Sequence, residues 1–212
     1  MSETDEISEL GDFGVLAHIL DALRVKDCER VAERLLERFG SFDGVFSATD
    51  DEIGSLNLVT ERVSSFFAFV RPMIRQALLR GVTEKLNSER AIIRYVTAFL
   101  LYRPSPALYA IFTKDRKPIL AETLTAENIV REAVGKACRL KADGLILVRY
   151  RPSGELFGSS DGFLSTVKQI AETCALAEID FIDYIEIAPY KFFSYNRHLN
   201  GDDNIIDVLD AK

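Results

Sequence analysis

Residues 145–163 read LILVRYRPSGELFGSSDGF. Leu145 to Val148 is a short apolar run of the kind that forms a buried strand. Arg149-Tyr150-Arg151 ends the run, and Pro152-Ser153-Gly154 then turns the chain, since proline fixes φ and glycine enters conformations other residues avoid. A second small polar cluster, Gly158-Ser159-Ser160-Asp161-Gly162, precedes a helical pattern from Phe163 to about Ala177. The order is strand, polar loop, helix. In an α/β fold the carboxyl end of a strand is where sites are usually built. Arg149 and Arg151 alternate at that strand end and project to one side.

Upstream, Ala107 to Thr113 reads as a strand, Lys114 to Pro118 as a turn, and Ile119 to Thr123 as the paired strand. A helix follows from near Thr125 to Leu140, and Lys141 to Gly144 turns into the central strand. Downstream, Asp180 to Ile187 alternates as a strand, Ala188-Pro189-Tyr190 is a turn, and Lys191 to Tyr195 is a final strand. The acidic stretch from Gly201 to Lys212 carries Ile205, Ile206, Val208 and Leu209 at spacings that suggest a helix.

The first part of the chain is helical throughout. A frayed tail to about residue 11 is followed by helical patterns from Phe13 and around Val31, Leu35 and Leu36, with Gly40 as a stop. Ser47 or Thr49 can cap a short helix beginning near Asp50, whose first-turn acids suit the helix dipole. Leu56 to Val59 is a turn, and Thr60 can cap a long helix through Phe66, Phe67, Val70 and Ile74. The expected division is a helical domain over 1–85, an α/β domain over 86–200, and an acidic tail or helix over 201–212. The second domain opens with a helix from Glu89 to about Tyr102, ended by Arg103-Pro104-Ser105-Pro106.

The central stretch resembles the metal motif of the RadC family, the bacterial JAB/MPN (JAMM) domains. Their pattern is H-x-H-P-S-G, a short loop with Ser, then Asp; the two His and the Asp hold zinc and an upstream Glu is the general base. Pro152, Ser153, Gly154 and Ser159 match it; Arg149 and Arg151 stand in place of the two His, and Asp161 comes one position early, with Gly162 at the Asp position. Glu122 is the positional candidate for the Glu, and Tyr184 replaces another His of the family's "LLDHIIVG". The resemblance runs in order along most of the chain. It includes Leu35 to Gly40 ("LLERFG") and a helix-hairpin-helix whose phosphate-binding "GIG" turn reads Asn57-Leu58-Val59 here. It implies an N-terminal helical bundle, helix-hairpin-helix-like, followed by a three-layer α/β domain of JAB/MPN (cytidine-deaminase-like) type, α+β or α/β in class.

Composition narrows the classes. The chain is 48% hydrophobic with a formal net charge of −7, enough for a real core and unfavourable for wholesale binding to nucleic acid. No apolar run is long enough to span a membrane, and the acidic MSETDEISELGD start is not a signal peptide. Cys28, Cys138 and Cys174 show no paired spacing, which points to a reduced cytoplasm.

Arginine offers no lone pair, so the altered motif implies no metal and no cofactor. The expectation is a catalytically inactive, MPN-minus RadC-like protein that works as a scaffold or regulator with a protein partner or by self-association. The family's associations suggest a DNA-repair, mobile-element or defence setting. A second reading is nucleic-acid or phosphate binding by Arg149 and Arg151, with Arg71 and Arg75 (and Arg62 and Arg80) of the helical domain. The bland alternative pairs Arg149 and Arg151 with Asp161, Glu155 or Glu122. A zinc hydrolase, or a nucleophilic Ser153 or Ser159 with no His beside it, is the least favoured.

Overall fold

A strand buried along its whole apolar run requires covered faces on both sides, and the computed structural model places residues 145–148 that way. The structure describes residues 10–81, 85–103, 105–125 and 127–211. The expected tail and part of the expected domain boundary lie outside them. The chain divides into two compact units, Met1–Gly81 with Leu101–Pro104, and Val82–Leu100 with Ser105–Lys212.

In the first unit α1 (Asp12–Ala22), α2 (Cys28–Phe39), α3 (Phe42–Ser47), α4 (Asp50–Ser55) and α5 (Glu61–Gly81) surround Leu16, Leu20, Leu35, Phe46, Ile53 and Phe67, all within 1% of full burial. Each start has a chemical cause. Ser41 accepts the Gly44 N–H, and Thr49 and Glu52 form a reciprocal capping box. Glu52 takes two hydrogen bonds from Thr49, which hold its carboxyl below the usual range. The α4–α5 turn is tight, with Asn57 at φ 51°, a left-handed conformation that asparagine tolerates better than most residues. Residues 101–103 return to this unit: Tyr102 packs on Phe46 and its hydroxyl reaches Asp43 at 3.4 Å.

The second unit holds α6 (Glu89–Leu100), β1 (Ala107–Lys114), β2 (Lys117–Thr123), α7 (Ile129–Leu140), β3 (Gly144–Tyr150), α8 (Leu164–Leu176), β4 (Asp180–Ile187), β5 (Lys191–Ser194), α9 (Tyr195–Leu199) and β6 (Ile206–Asp207). The sheet order is β2-β1-β3-β4-β5-β6. Among the described residues only β3 and β4 pair in parallel, and α8 is their crossover. One face of β3, Leu145 and Leu147, packs with Ala133, Ala137, Val167 and Ile170 of α7 and α8. On the other face Tyr109, opposite Val148, meets Phe99 of α6 edge-on at 5.2 Å. The helical region followed by a mixed six-stranded sheet with helices is the expected fold class.

Two expectations differ near the C-terminus. The strand from Lys191 stops at Ser194, which caps α9 by accepting the Arg197 N–H, so Tyr195 is helical. The stretch expected to be helical forms β6 and a 3-10 turn, Val208–Asp210. Asp202 accepts the Asn204 N–H and Asp207 the Leu209 N–H, local bonds that compete with helix formation. The β5 edge then takes Ile206 and Asp207.

Candidate functional site at the end of the parallel strand pair

The polar loop leaves β3 beside the end of β4, so side chains of both strands and the loop meet there. Arg149 lies opposite Glu186 in the parallel register, as Leu147 lies opposite Tyr184. Glu186 and Tyr184 are two apart on β4 and share the face of Arg149. The loop turns at Gly154 (φ 87°), whose N–H reaches the Arg151 carbonyl at 3.1 Å. It turns again at Gly158 (φ 55°), where a Cβ would also come within 3.4 Å of Phe193. Both need glycine for their left-handed backbone. Pro152 lies in the first of these turns.

Two carboxylates receive the two guanidiniums. Asp161 Oδ2 accepts Arg149 Nη1 at 2.8 Å and the Tyr184 hydroxyl at 3.2 Å, and Arg151 Nη2 lies 3.7 Å away. Asp161 Oδ1 accepts the Phe163 N–H at 2.9 Å and so fixes the start of α8. Arg151 Nε donates to Glu186 Oε1, while Glu186 Oε2 accepts the N–H groups of Phe157 at 3.0 Å and Gly158 at 2.8 Å. The Glu186 side chain has no solvent exposure. Each guanidinium also covers a ring, Arg149 over Phe163 at 4.0 Å and Arg151 over Phe157 at 4.3 Å. Burial pushes the Tyr184 hydroxyl far above its usual range, the nearby Arg149 opposing, so it stays a donor at neutral pH. Two cations and two anions leave this cluster formally neutral.

The expected pairing of Arg149 and Arg151 with Asp161 is present. Glu122 and Glu155 do not join it. Glu122 pairs with Lys136 on α7 at 3.1 Å, and Glu155 is exposed. Ser153 and Ser159 are exposed as well. Glu186 was not anticipated. The available signal was its place two residues after Tyr184 in a strand with Ile185 and Ile187, where a charged residue must be buried with a partner. In the first unit Arg71 Nη1 lies 3.3 Å from Asp50 Oδ1, and its Nε and Nη2 are buried away from solvent. Arg75 Nε donates to the Leu101 carbonyl at 3.1 Å. Among the described residues no three His, Cys, Asp or Glu side chains converge as a metal-holding group, and no helix is long and apolar enough to cross a membrane.

Comparison with known proteins bears on this half most directly. The family model described as "RadC-like JAB domain" matches residues 86–200. A "UPF0758 protein" of Rhodobacter capsulatus is 28% identical over 183 residues, covering 81% of this chain and 86% of that protein.

Proposed function

Starting from the premise that this chain belongs to the RadC-like JAB domain family, we propose that its α/β domain is catalytically inactive and acts as a protein-binding scaffold or regulator. The observation that carries this reading is the fate of Arg149 and Arg151. Both guanidiniums are turned into the loop mouth and committed to Asp161 and Glu186.

The residues at the motif positions do not fit zinc. Zinc is held by neutral imidazole, thiolate or carboxylate, and arginine remains protonated without a lone pair. Asp161 is the one motif carboxylate at the cluster, and Arg149, Tyr184 and Arg151 crowd its Oδ2. A dication there would face two fixed positive charges. No hydrolytic step is therefore assigned to these residues. Ser153 and Ser159 have no histidine in the motif to activate them.

The phosphate-binding alternative needs arginines with donors directed to solvent. Arg149 and Arg151 are spent on carboxylates and rings, and Arg71 and Arg75 on Asp50 and a backbone carbonyl. A scaffold needs a stable fold and an accessible surface, and the neutralised cluster helps provide the first. A setting linked to DNA repair, mobile elements or defence is part of this proposal and comes from the family alone, whereas the cytoplasmic part rests on the three cysteines without paired spacing.

The test is elemental analysis of the full chain purified from zinc-supplemented cells, beside the double variant Arg149→His/Arg151→His. The wild-type chain is expected to carry zinc well below stoichiometry. The double variant is expected to gain it, because the substitutions return two imidazoles beside Asp161. Stoichiometric zinc in the wild type, lost on chelation with a peptidase or isopeptidase activity, would refute the proposal.

A further inference from the structure

α5 is apolar on two sides. Val63, Phe67, Val70 and Ile74 turn one side into the core of the helical unit. The opposite side of such a helix is ordinarily polar. Here it holds Phe69, Pro72, Met73 and Gln76, all exposed, at i, i+3, i+4 and i+7. Residues at those spacings are neighbours on a helix surface, so they form one continuous strip. Phe69 is 65% exposed and Met73 54%. A phenylalanine beside a methionine in water is an adaptable contact surface, unlike the singly scattered apolar residues of an ordinary exterior.

The strip ends in charge of one sign. Arg62 lies seven residues before Phe69 and Arg80 seven after Met73, so both fall on its line. Arg62, Phe66, Phe69, Met73, Gln76 and Arg80 follow one another at alternating spacings of four and three, the spacing of a coiled-coil seam. Arg62 and Arg80 are exposed, and neither makes an ion pair among the described residues. The other two arginines of the helix are engaged elsewhere, Arg71 with Asp50 and Arg75 with the Leu101 carbonyl. Glu61, the one acid of α5, lies about 100° round the axis from Arg62 and off the strip. At about 1.5 Å per residue the two terminal arginines stand about 27 Å apart.

We propose that the outer face of α5 docks one amphipathic helix of another protein, apolar along its seam and carrying carboxylates at both ends. Phe69 and Met73, with Pro72 beside them, are the anchors that such a helix covers, and Arg62 and Arg80 select the acidic ends. Charge argues against a second copy of α5 as the occupant. Laid antiparallel it sets Arg62 against Arg80 of the other copy, and laid parallel it sets each arginine against its like. A nucleic acid would find no phosphate donor between the two arginines, where the strip is apolar. The inference concerns the helical unit and goes beyond the reading of the α/β domain, on which it does not rest.

The experiment is display selection on the full chain from a library of alanine-based helical peptides randomised at seam and flanking positions, followed by fluorescence anisotropy with one enriched peptide. Enriched sequences are expected to place apolar residues at a three-four spacing and acids toward both ends, and to bind less tightly at high salt. Phe69→Ser/Met73→Ser is expected to weaken binding at least tenfold with unchanged circular dichroism, since both side chains are exposed. Arg62→Glu/Arg80→Glu is expected to weaken it at least tenfold and to gain binding of the same peptide with its acids changed to lysine. Enrichment without acids, no gain by the charge-reversed pair, or equal binding by Phe69→Ser/Met73→Ser and wild type would overturn the proposal. So would a dimer in sedimentation velocity that Phe69→Ser/Met73→Ser dissociates, or a random-sequence DNA duplex bound through Arg62 and Arg80 with no peptide enriched. A Met73→Cys thiol that resists maleimide in the native full chain would overturn it too, because the chain itself would then cover the face. Zinc content is independent of all these readouts, so failure here leaves the inactive-domain reading standing, and stoichiometric zinc with intact peptide binding does the reverse.

Discussion

Replacing Glu186 tests whether the ion-pair cluster holds the motif loop. Its side chain has no exposure, and it accepts from one guanidinium and two backbone N–H groups. Removing one partner of a buried ion pair costs about 3–5 kcal/mol, because the remaining charge stays uncompensated. Arg151 keeps 23% side-chain exposure and can be partly rehydrated, which places Glu186→Gln near the lower end, about 3 kcal/mol. Glu186→Leu also strands the N–H groups of Phe157 and Gly158, adding about 1–3 kcal/mol for each that stays dry. Such losses are large beside a typical stability of about 5–15 kcal/mol. The assay is urea unfolding followed by tyrosine fluorescence. The chain has no tryptophan, and six of its seven tyrosines lie in the second unit, so the signal reports the unit that matters. A double-mutant cycle with Arg151→Met is expected to return at least about 2 kcal/mol of coupling, within the range for residues in one charge network. Coupling below about 0.5 kcal/mol, the size expected of independent sites, would refute the claim that this pair fastens the loop.

Three further outcomes are expected. Asp183 is buried, and desolvation raises its carboxyl to about 6 against an ordinary 3.8, overcoming donors from Ser194, Asn196 and Tyr184. The folded state then binds the proton more tightly than the unfolded one, so its contribution to stability is full below about 4, falls between about pH 4 and 6, and stays flat above. Asp183→Asn should flatten the urea midpoint across that window, and a wild-type midpoint that rises there through this group would contradict the assignment. Burial also pushes the Cys174 thiol up to about 11, whereas Cys138 is exposed. Ellman's reagent should therefore label Cys138 within minutes and Cys174 only on unfolding; equal rates would mean that α8 does not cover its cysteine. Finally, Thr49→Ala removes one side of the capping box, with an expected loss of about 1 kcal/mol in the first unit, read from proteolysis or hydrogen exchange of α4.

Much of the local structure was legible because its causes are local. The run Leu145 to Val148, the proline-glycine turn, Thr49 before three acids and Asn57 in a tight turn each act through a few neighbouring residues, and each produced the expected element. The pairing of Arg149 with Asp161 was equally within reach, twelve residues along one loop. Where two local signals compete, as in the isoleucines and aspartates of residues 202–210, periodicity alone misled, and the open edge of β5 decided for a strand.

The sequence by itself determined the strand-loop-helix unit, the glycines that permit its turns, and the arginines that stand at the motif positions. Tertiary structure alone decided which charge from outside the loop joins them. Glu186 lies 35 residues beyond Arg151, and it reaches the loop only because α8 returns the chain to lay β4 parallel to β3. That same parallel register brings Tyr184 to Asp161, while Glu122, nearer to Arg149 in sequence than Glu186 is, lies two strands away and pairs with Lys136. The physical reason is range. Backbone preference acts within a turn or two, whereas a buried charge is satisfied by whatever the folded sheet places within about 3–4 Å.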